Sequence, residues 1–454
     1  MFVMMYRSIS PKRKERQRLL AERWETLPKS VQTPVQIAGK SAIFCGATHH
    51  VMERCNFSCT CCYLGKDANK TEPLPFEEVK EQLDQLRAAL GHGGKAQITA
   101  GEVTLLPLED LGRIVAYGRS VGLDVMVMSH GQRFLDEPDY LIALVRDYGL
   151  RKISIHIDST QRGRKGTDSS MNEVDLDTVR DAAAELVRHV REVTGLPLQA
   201  ASTVTVTNHN LEEMADVMSW FLRNSDAFRL LSFQPVADVG RTRKGHATAI
   251  LNEKLWQQIF TASARSFNSQ PLLFGHPKCN NVVPLLIAQA GEELIIFESL
   301  RSQSESDTKM FQRVIEAIGG RFEWEIQWRK NISNILGMFF RNPSLLWHGL
   351  RWGLERFSHE KSRFAQLIKA SWRAGEWPRF HPFLIIIHNF MNAEELQTEE
   401  GQERLDSCIF KLPVDGKLIS MCEMNATEIR TALDRRQLQA KAQPKKDQHS
   451  CSTI

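Results

Sequence analysis

Strand-like and helix-like segments alternate along the middle of the chain, and this alternation restricts the fold more than any other feature. The strand candidates are short apolar runs near residues 50–54, 96–99, 124–129, 152–157, 199–206 and 229–234. Helical patterns lie between them, near residues 74–91, 108–121, 138–148, 172–193 and 210–223. Such alternation is typical of parallel strands joined by crossover helices. The sequence therefore predicts an α/β fold, a partial (β/α)6 barrel of the TIM type, although an open doubly wound sheet would give much the same pattern.

The rest of the chain divides around this barrel, which we assign to residues 46–245. Residues 1–45 are expected to form a basic leader with a helical piece near 16–24. Residues 246–435 should form a mostly helical C-terminal extension, with a strand pair near 282–297 and one more strand at 383–387. The polar segment 436–454 is interpreted as a disordered tail.

Composition excludes several classes of protein. Of the 454 residues, 42% are hydrophobic and 25% are charged, which is ordinary for a soluble globular chain. A formal net charge of +4 does not favour nucleic-acid binding. No apolar stretch is long enough to span a membrane, and we find no secretory signal. We expect a cytoplasmic protein.

The cysteines point to a metal centre. Four of the nine lie within eight residues, and Cys55, Cys59 and Cys62 follow the spacing Cys-x3-Cys-x2-Cys before Tyr63. In a reducing compartment such clustering favours metal ligation over disulfides. Three thiolates on one loop can hold three irons of a [4Fe–4S] cluster and leave the fourth iron open to a small molecule. A structural zinc site more usually has four ligands in paired spacings, and Cys61 falls outside the register.

This cysteine loop resembles the signature of the radical S-adenosylmethionine (SAM) superfamily. The resemblance implies that the loop follows the first barrel strand, for which we take His50–Arg54. It also implies reductive cleavage of SAM at a [4Fe–4S] cluster to a 5′-deoxyadenosyl radical, with contact between the Tyr63 backbone and the adenine. Reduced ferredoxin or flavodoxin would supply the electron.

A second segment, Ile98-Thr99-Ala100-Gly101-Glu102, resembles the Gly-Gly-Glu sequence of the same superfamily, with Ala100 at the first glycine. The resemblance implies that Gly101 and Glu102 bind the SAM amino group. A carboxylate binds an ammonium strongly in a partly dry site, and a glycine allows close approach of the backbone.

The other predicted strands also end in polar residues, namely Ser129, His156, Asp158 and Gln234. In barrels of this type the functional residues lie at the C-terminal ends of the strands. We therefore expect these side chains to contact SAM or the substrate. Each could instead cap a helix or donate a hydrogen bond within a loop, and a buried histidine is more often part of the core.

Three further cysteines, Cys279, Cys408 and Cys422, lie in the C-terminal extension. This region resembles the C-terminal part of radical SAM enzymes related to tetraether lipid synthase and to archaeal pterin-methylating proteins. The resemblance implies an auxiliary iron–sulfur or mononuclear iron centre. Asp415-Gly416 predicts a hairpin turn that would bring Cys408 and Cys422 together. The alternative is that all three are buried free thiols.

Residues 321–380 are unusually basic, with eleven Lys or Arg against five Asp or Glu. Apolar residues recur there at helical spacing, as in Ile332, Leu336 and Phe340. Basic amphipathic helices rich in tryptophan can lie on an anionic membrane surface, here the inner membrane. They could also form a lid over the substrate or an ordinary helical layer packed on the barrel.

The sequence thus predicts a radical SAM enzyme that abstracts hydrogen from a small-molecule substrate, which we expect to be apolar or lipid-like. A radical SAM methyltransferase is the related alternative. A hypothesis from another class is a non-catalytic, zinc-stabilised binding protein that docks through residues 321–380.

Overall fold

A computed structural model describes residues 11–242, 251–301, 304–318 and 328–442. Six strands pair in parallel and in consecutive order: β1 (Cys45–Ala47), β2 (Lys95–Ile98), β3 (Asp124–Ser129), β4 (Lys152–His156), β5 (Gln199–Val206) and β6 (Phe228–Pro235). The helices of this part are α1 (Pro11–Thr26), α2 (Phe76–Leu90), α3 (Leu108–Ser120), α4 (Gln132–Asp136), α5 (Pro138–Arg146), α6 (Asp177–Thr194) and α7 (Met214–Arg223). The predicted (β/α)6 arrangement is confirmed.

The C-terminal extension adds strands as well as helices. Its elements are α8 (Leu251–Ala262), β7 (Asn280–Ala290), β8 (Glu293–Glu298), α9 (Glu305–Ile318), α10 (Trp328–Arg341), α11 (Ser344–His359), α12 (Lys361–Ala374), β9 (Arg379–His388), α13 (Glu399–Asp406), β10 (Phe410–Val414), β11 (Lys417–Ser420), α14 (Met421–Ala426) and α15 (Ile429–Ala442). Strand β9 pairs in parallel with β6, and β10 pairs in parallel with β1. Antiparallel strands complete one sheet in the order β11-β10-β1-β2-β3-β4-β5-β6-β9-β7-β8. Eight parallel strands therefore surround the interior instead of the predicted six.

Along the central strands, side chains alternate between two faces of the sheet. One face packs against the helices, and the other lines the interior cavity. In β3, Val125 and Val127 are buried against the helices, whereas Met126 and Met128 point to the interior cavity. Burying each valine stabilises the fold by about 1.5–3 kcal/mol. The period of two thus places the helix layer on one face of the sheet and leaves the other face for binding.

The predicted first strand at His50–Arg54 is wrong, because β1 ends at Ala47 and residues 50–54 form a loop. His50 has a φ of +54°, which a regular strand does not allow. The Glu53 carboxylate accepts hydrogen bonds from the His50 backbone N–H at 3.2 Å and from Arg430 at 2.7 Å. Buried side chains therefore replace the strand partners of this segment, and a short buried loop has the same apolar pattern as a short strand.

Both ends of the described chain are helical. Helix α1 contains the predicted helical piece, and its Leu19 and Leu20 belong to the main core. The predicted tail from residue 436 onward is helical up to Ala442, and this corrects the expectation of disorder for that part. Residues 1–10 and 443–454, including Cys451, lie outside the described residues. The domain boundaries at 45, 245 and 435 stay predictions.

Helices α9 to α12 confirm the mostly helical character of residues 304–318 and 328–374. Leu345 of α11 and Leu367 of α12 are buried, so the layer is packed against the rest of the extension. None of the helices in the described ranges is both long enough and apolar enough to cross a membrane.

Acidification should destabilise the fold through His381, and a phenylalanine at this position should reduce the effect. His381 is 9% exposed, and neither ring nitrogen has a hydrogen-bond partner among the described residues. Burial, followed by the charge of Arg229, lowers the pKa of His381 to about 4. Between pH values of about 6.5 and about 4 the unfolded chain binds the proton more tightly, so the free energy of unfolding falls as the pH falls.

The difference between pKa values of about 6.5 and about 4 corresponds to about 3 kcal/mol. In urea unfolding at both pH values, His381→Phe should lose about 3 kcal/mol less stability than the unchanged chain. His189→Phe is the control, because His189 is exposed on α6. If His381→Phe and the unchanged chain lost the same free energy of unfolding, burial of the His381 ring would not be the cause of the acid sensitivity.

Candidate active site

One cavity of about 1240 Å3 occupies the interior of the sheet. Every parallel strand from β10 to β9 contributes lining residues, so the sheet curves around this space. The loops at the C-terminal ends of the strands close over part of it. The predicted cluster cysteines and the strand-end residues Ser129, His156 and Gln234 therefore face one common chamber, whereas Asp158 is buried behind His156 and does not line it.

The cysteine loop lies over the ends of β4 and β6. Ser58 donates its backbone N–H to the carbonyl of Arg162 at 2.9 Å, and Thr60 donates to Thr160 at 2.9 Å. Cys55, Cys59 and Cys62 all line the cavity. Backbone pairing with the neighbouring loop therefore fixes the segment that carries the three thiols.

The three thiols are half-buried neighbours at the cavity wall. Burial, with a further contribution from nearby Cys62, raises the pKa of Cys55 to about 11 and that of Cys59 to about 12. Bare thiolates are unfavourable there, and bound cations would stabilise them. A donor set of three thiols on one loop fits a [4Fe–4S] cluster. Cys61 also lines the cavity, and its sulfur lies 3.9 Å from the Thr60 hydroxyl.

The loop after β6 holds the end of the cysteine loop. Arg241 donates its backbone N–H to the Cys62 carbonyl at 2.7 Å and its Nη2 to the Cys62 sulfur at 3.2 Å. Gly240 has a φ of +59°, and a Cβ there would lie 2.3 Å from the Tyr63 carbonyl oxygen. Tyr63 lines the cavity, and its ring centroid lies 5.0 Å from the Arg430 guanidinium. Glycine is therefore required where the two loops meet.

Glu102 connects the ends of β2 and β3. Its Oε1 accepts from the Thr104 backbone N–H at 3.0 Å and from the Ser129 hydroxyl at 2.8 Å. Its Oε2 accepts from the His130 backbone N–H at 2.8 Å. The residue is 1% exposed yet lines the cavity, so the carboxylate is fixed in one orientation. Gly101 has a φ of +35°, and a Cβ there would collide with the Glu53 carbonyl.

His130 ties the cysteine loop to the end of β3. Its ring stacks on Phe57 with centroids 3.8 Å apart. Its Nδ1 accepts from the Gln132 backbone N–H at 3.1 Å, so Nε2 carries the proton and donates to the Asn56 Oδ1 at 2.8 Å. Burial lowers the pKa of His130 to about 4. The ring is therefore neutral at physiological pH and acts as a single-proton donor.

His156 and Asp158 form a pair at the end of β4. Asp158 accepts from the Thr160 backbone N–H at 2.9 Å, from the Thr205 backbone N–H at 2.7 Å, and from the His156 ring. Burial alone would raise the pKa of Asp158, but the His156 charge and these hydrogen bonds hold it below its ordinary value. The ionised carboxylate orients the His156 ring, which lines the cavity together with Gln234.

Two arginines in the site gave no signal in the sequence. Arg164 donates Nη2 to the carbonyls of His130 at 2.8 Å and His156 at 3.0 Å, which joins the ends of β3 and β4. Burial lowers its pKa to about 10, so it stays charged at neutral pH. Arg404 of α13 donates Nε to the Cys279 sulfur at 3.3 Å. Both arise from the tertiary structure, and no local motif marks them.

Cys279, Cys408 and Cys422 line a second part of the same cavity. Burial, followed by the neighbouring thiols, raises the pKa of Cys422 to about 12, and burial raises that of Cys408 to about 11. The predicted turn is present, with φ values of +47° at Asp415 and +76° at Gly416 between β10 and β11. The hairpin and the start of β7 thus bring the three predicted residues together.

Within the described ranges, no three His, Cys, Asp or Glu side chains converge on a site for a single metal ion. Cys45 also lines the cavity, but its neighbours are Lys95 and Lys152. Partial burial raises the pKa of its thiol, which lies on β1 and faces the charged end of the interior.

Comparison with known proteins bears directly on this geometry. Residues 50–221 match the model of the radical SAM superfamily. Over these residues the chain is similar to radical SAM proteins. The matched residues include the cysteine loop, Glu102, and the strand ends from β2 to β5. The matched residues therefore supply about half of the residues that line the cavity.

The relatives match parts of the chain. A 7,8-dihydro-6-hydroxymethylpterin dimethyltransferase of Methanocaldococcus jannaschii is 26% identical over 196 residues, which are 42% of this chain and 36% of that protein. The alignment thus spans about a third of that relative's length. A structure of anSMEcpe with bound AdoMet has a TM-score of 0.36 at 15% identity and covers 48% of this chain and 58% of its own. Methylornithine synthase has the same TM-score and identity, over 58% of this chain and 74% of its own.

Proposed function

We propose that this chain is a radical SAM enzyme whose [4Fe–4S] cluster is held by Cys55, Cys59 and Cys62. The observation that carries the proposal is that these three thiols, within the residues that match the radical SAM superfamily, open onto the same cavity as Glu102 and His156. When bound, the cluster supplies the electron that splits SAM into methionine and a 5′-deoxyadenosyl radical, which removes a hydrogen atom from the substrate.

The chain's own residues bind, orient and exclude water. Glu102, fixed by Ser129 and the His130 backbone, offers a buried carboxylate to the SAM ammonium. The Tyr63 backbone, Gly101 and the polar ends of β4 and β6 would contact the remainder of SAM. Arg241 and Arg164 add positive charge beside the thiols, which favours their ionised form.

The rest of the cavity favours a substrate with an apolar portion. Its lining includes Met126, Met128, Leu230, Leu384 and Ile386, which offer no hydrogen bonds. An apolar chamber keeps water away from a reactive radical and selects for hydrocarbon groups. We therefore propose a small, apolar or lipid-like substrate, with reduced ferredoxin or flavodoxin as the electron donor.

The test is anaerobic reconstitution with iron and sulfide, followed by SAM and dithionite. We expect formation of 5′-deoxyadenosine and about four irons for the first site. Zinc in place of iron, with no 5′-deoxyadenosine, would support the non-catalytic zinc-stabilised alternative and contradict the proposal.

We also propose a second iron–sulfur centre, held by Cys279, Cys408 and Cys422. Support comes from the shared cavity wall and from the Arg404 hydrogen bond to Cys279. Cys422→Ala should lower the iron content from about eight to about four per chain while the cysteine loop keeps its cluster. Metal analysis with Cys45→Ala as the control tests this, because Cys45 is another cysteine of the cavity wall. Unchanged iron in Cys422→Ala would mean that the three thiols are free.

Radical SAM methylation is the second candidate, because the relative from Methanocaldococcus jannaschii is a pterin dimethyltransferase. The two candidates differ in the products of SAM. S-adenosylhomocysteine together with a methylated product would favour methylation, whereas 5′-deoxyadenosine without it would favour hydrogen abstraction alone.

A further inference from the structure

Three helices of the C-terminal extension present apolar side chains to solvent. We call this set the apolar face; its members are Ile332, Leu336 and Phe340 of α10, Leu346, Trp347, Leu350, Leu354 and Phe357 of α11, Ile368 and Trp372 of α12, and Trp377. Phe340 is 83% exposed, Trp372 84% and Trp377 91%. The spacing of three or four residues within each helix puts the members of that helix on one side. Isolated exposed apolar residues are common, but a set of this size marks an interaction surface.

Buried ion pairs hold α11 against α9 and the start of α12. Arg356 of α11 is 8% exposed and lies 3.4 Å from the Asp307 carboxylate and 3.1 Å from that of Glu360. Asp307 is 1% exposed and also accepts from Arg301 at 2.6 Å. An ordinary surface helix buries its apolar side and exposes its charges. Helices α11 and α12 likewise bury Leu345 and Leu367, yet they leave a second set of apolar side chains exposed, and the ion pairs of Arg356 hold α11 in this orientation.

Exposed positive charges accompany the apolar face. Arg351, Lys361, Lys369 and Arg379 are exposed, and none makes an ion pair with another described residue. Among residues 351–379, which the structure describes in full, the exposed acidic residue is Glu376. Tryptophans beside cations are typical of the boundary between hydrocarbon and lipid headgroups. An acidic, apolar surface complements this combination, and an anionic bilayer is such a surface.

We propose that the apolar face is a membrane-docking surface that lies in the headgroup layer of an anionic bilayer without crossing it. The tryptophans and leucines would enter the acyl boundary, and the four cations would contact lipid headgroups. This inference is independent of the proposed function, because docking requires neither the cluster nor SAM. A second copy of the chain is the competing occupant of the surface.

The test is vesicle flotation of the full chain, purified anaerobically. Phosphatidylcholine vesicles with phosphatidylglycerol should bind the chain, and pure phosphatidylcholine vesicles should bind it more weakly. The combined variant Phe340→Ser, Trp347→Ser, Trp372→Ser and Trp377→Ser should weaken binding at least about tenfold. Lys361→Glu with Lys369→Glu should remove the preference for phosphatidylglycerol and the sensitivity to salt.

The matched control is Val174→Ser with Val193→Ser, which removes exposed apolar side chains away from the face. Circular dichroism and iron content establish that each variant is folded. Failure of the unchanged chain to bind either vesicle would overturn the proposal, as would equal binding by the quadruple serine variant. A dimer in light scattering that the same variant dissociates, without vesicle binding, would assign the face to self-association instead.

Discussion

Cys59→Ala should abolish formation of 5′-deoxyadenosine and remove the first iron–sulfur centre. The cluster would lose one of the three thiols that the loop supplies, and two thiols leave a second iron without a protein ligand. We expect about four fewer irons per chain. Loss of an outer-shell partner at a metal site costs about 10–100-fold in activity, so loss of a ligand should reduce SAM cleavage by more than about 100-fold. Iron analysis and product chromatography measure both effects.

Cys61→Ala is the matched control, because Cys61 lies in the same loop and lines the same cavity. It should retain its iron and most of its activity. A loss of iron in Cys61→Ala equal to that in Cys59→Ala would assign the ligands differently from the Cys-x3-Cys-x2-Cys register. Retention of SAM cleavage in Cys59→Ala would remove the basis of the proposed function.

Glu102→Gln should weaken SAM binding by about 10–100-fold, which corresponds to the loss of a hydrogen bond to a charged group at about 1.5–3 kcal/mol. The carboxylate accepts hydrogen bonds from Thr104, Ser129 and His130. The glutamine amide has only one acceptor oxygen. Its NH2 group would therefore face either the backbone N–H of His130 or the two donors Thr104 and Ser129. The SAM ammonium would also lose its negative partner. Equilibrium dialysis with SAM measures the change.

Glu109→Gln is the control for the loss of charge, since Glu109 is exposed at the start of α3. It should bind SAM like the unchanged chain. Thermal unfolding separates the two consequences of Glu102→Gln, because the buried mismatch should also lower stability by about 1–3 kcal/mol. Normal SAM affinity with lowered stability would make Glu102 a structural residue only.

The local features of the site were predictable from the sequence. Cys55, Cys59 and Cys62 lie on one short loop, so their spacing alone brings them to one place. Glu102, Ser129 and His156 follow predicted strands, and parallel strands bring their C-terminal ends to one edge of the sheet. The one error of this kind, the strand at His50–Arg54, arose because apolar residues in a buried loop cannot be told from a strand by pattern.

Long-range pairing could not be predicted in this way. Nothing local in Phe410–Val414 indicates that it pairs in parallel with Cys45–Ala47, more than 360 residues earlier. The hydrogen bonds of Arg241 and Arg404 to cysteine sulfurs join separate loops. The outward orientation of Trp347 and Trp372 depends on which sides of α11 and α12 pack against the extension, where Leu345 and Leu367 are buried, whereas the helical spacing alone is compatible with a core-facing stripe.

The sequence by itself determined the parallel β/α order, the three-thiol loop and the turn at Asp415-Gly416, because periodicity, residue spacing and turn chemistry act over a few neighbouring residues. The tertiary structure decided the eight-stranded parallel enclosure, the grouping of Cys279 with Cys408 and Cys422, and the exposure of the apolar face. These depend on which distant surfaces exclude water together, and burial is a property of the whole fold and not of any one segment.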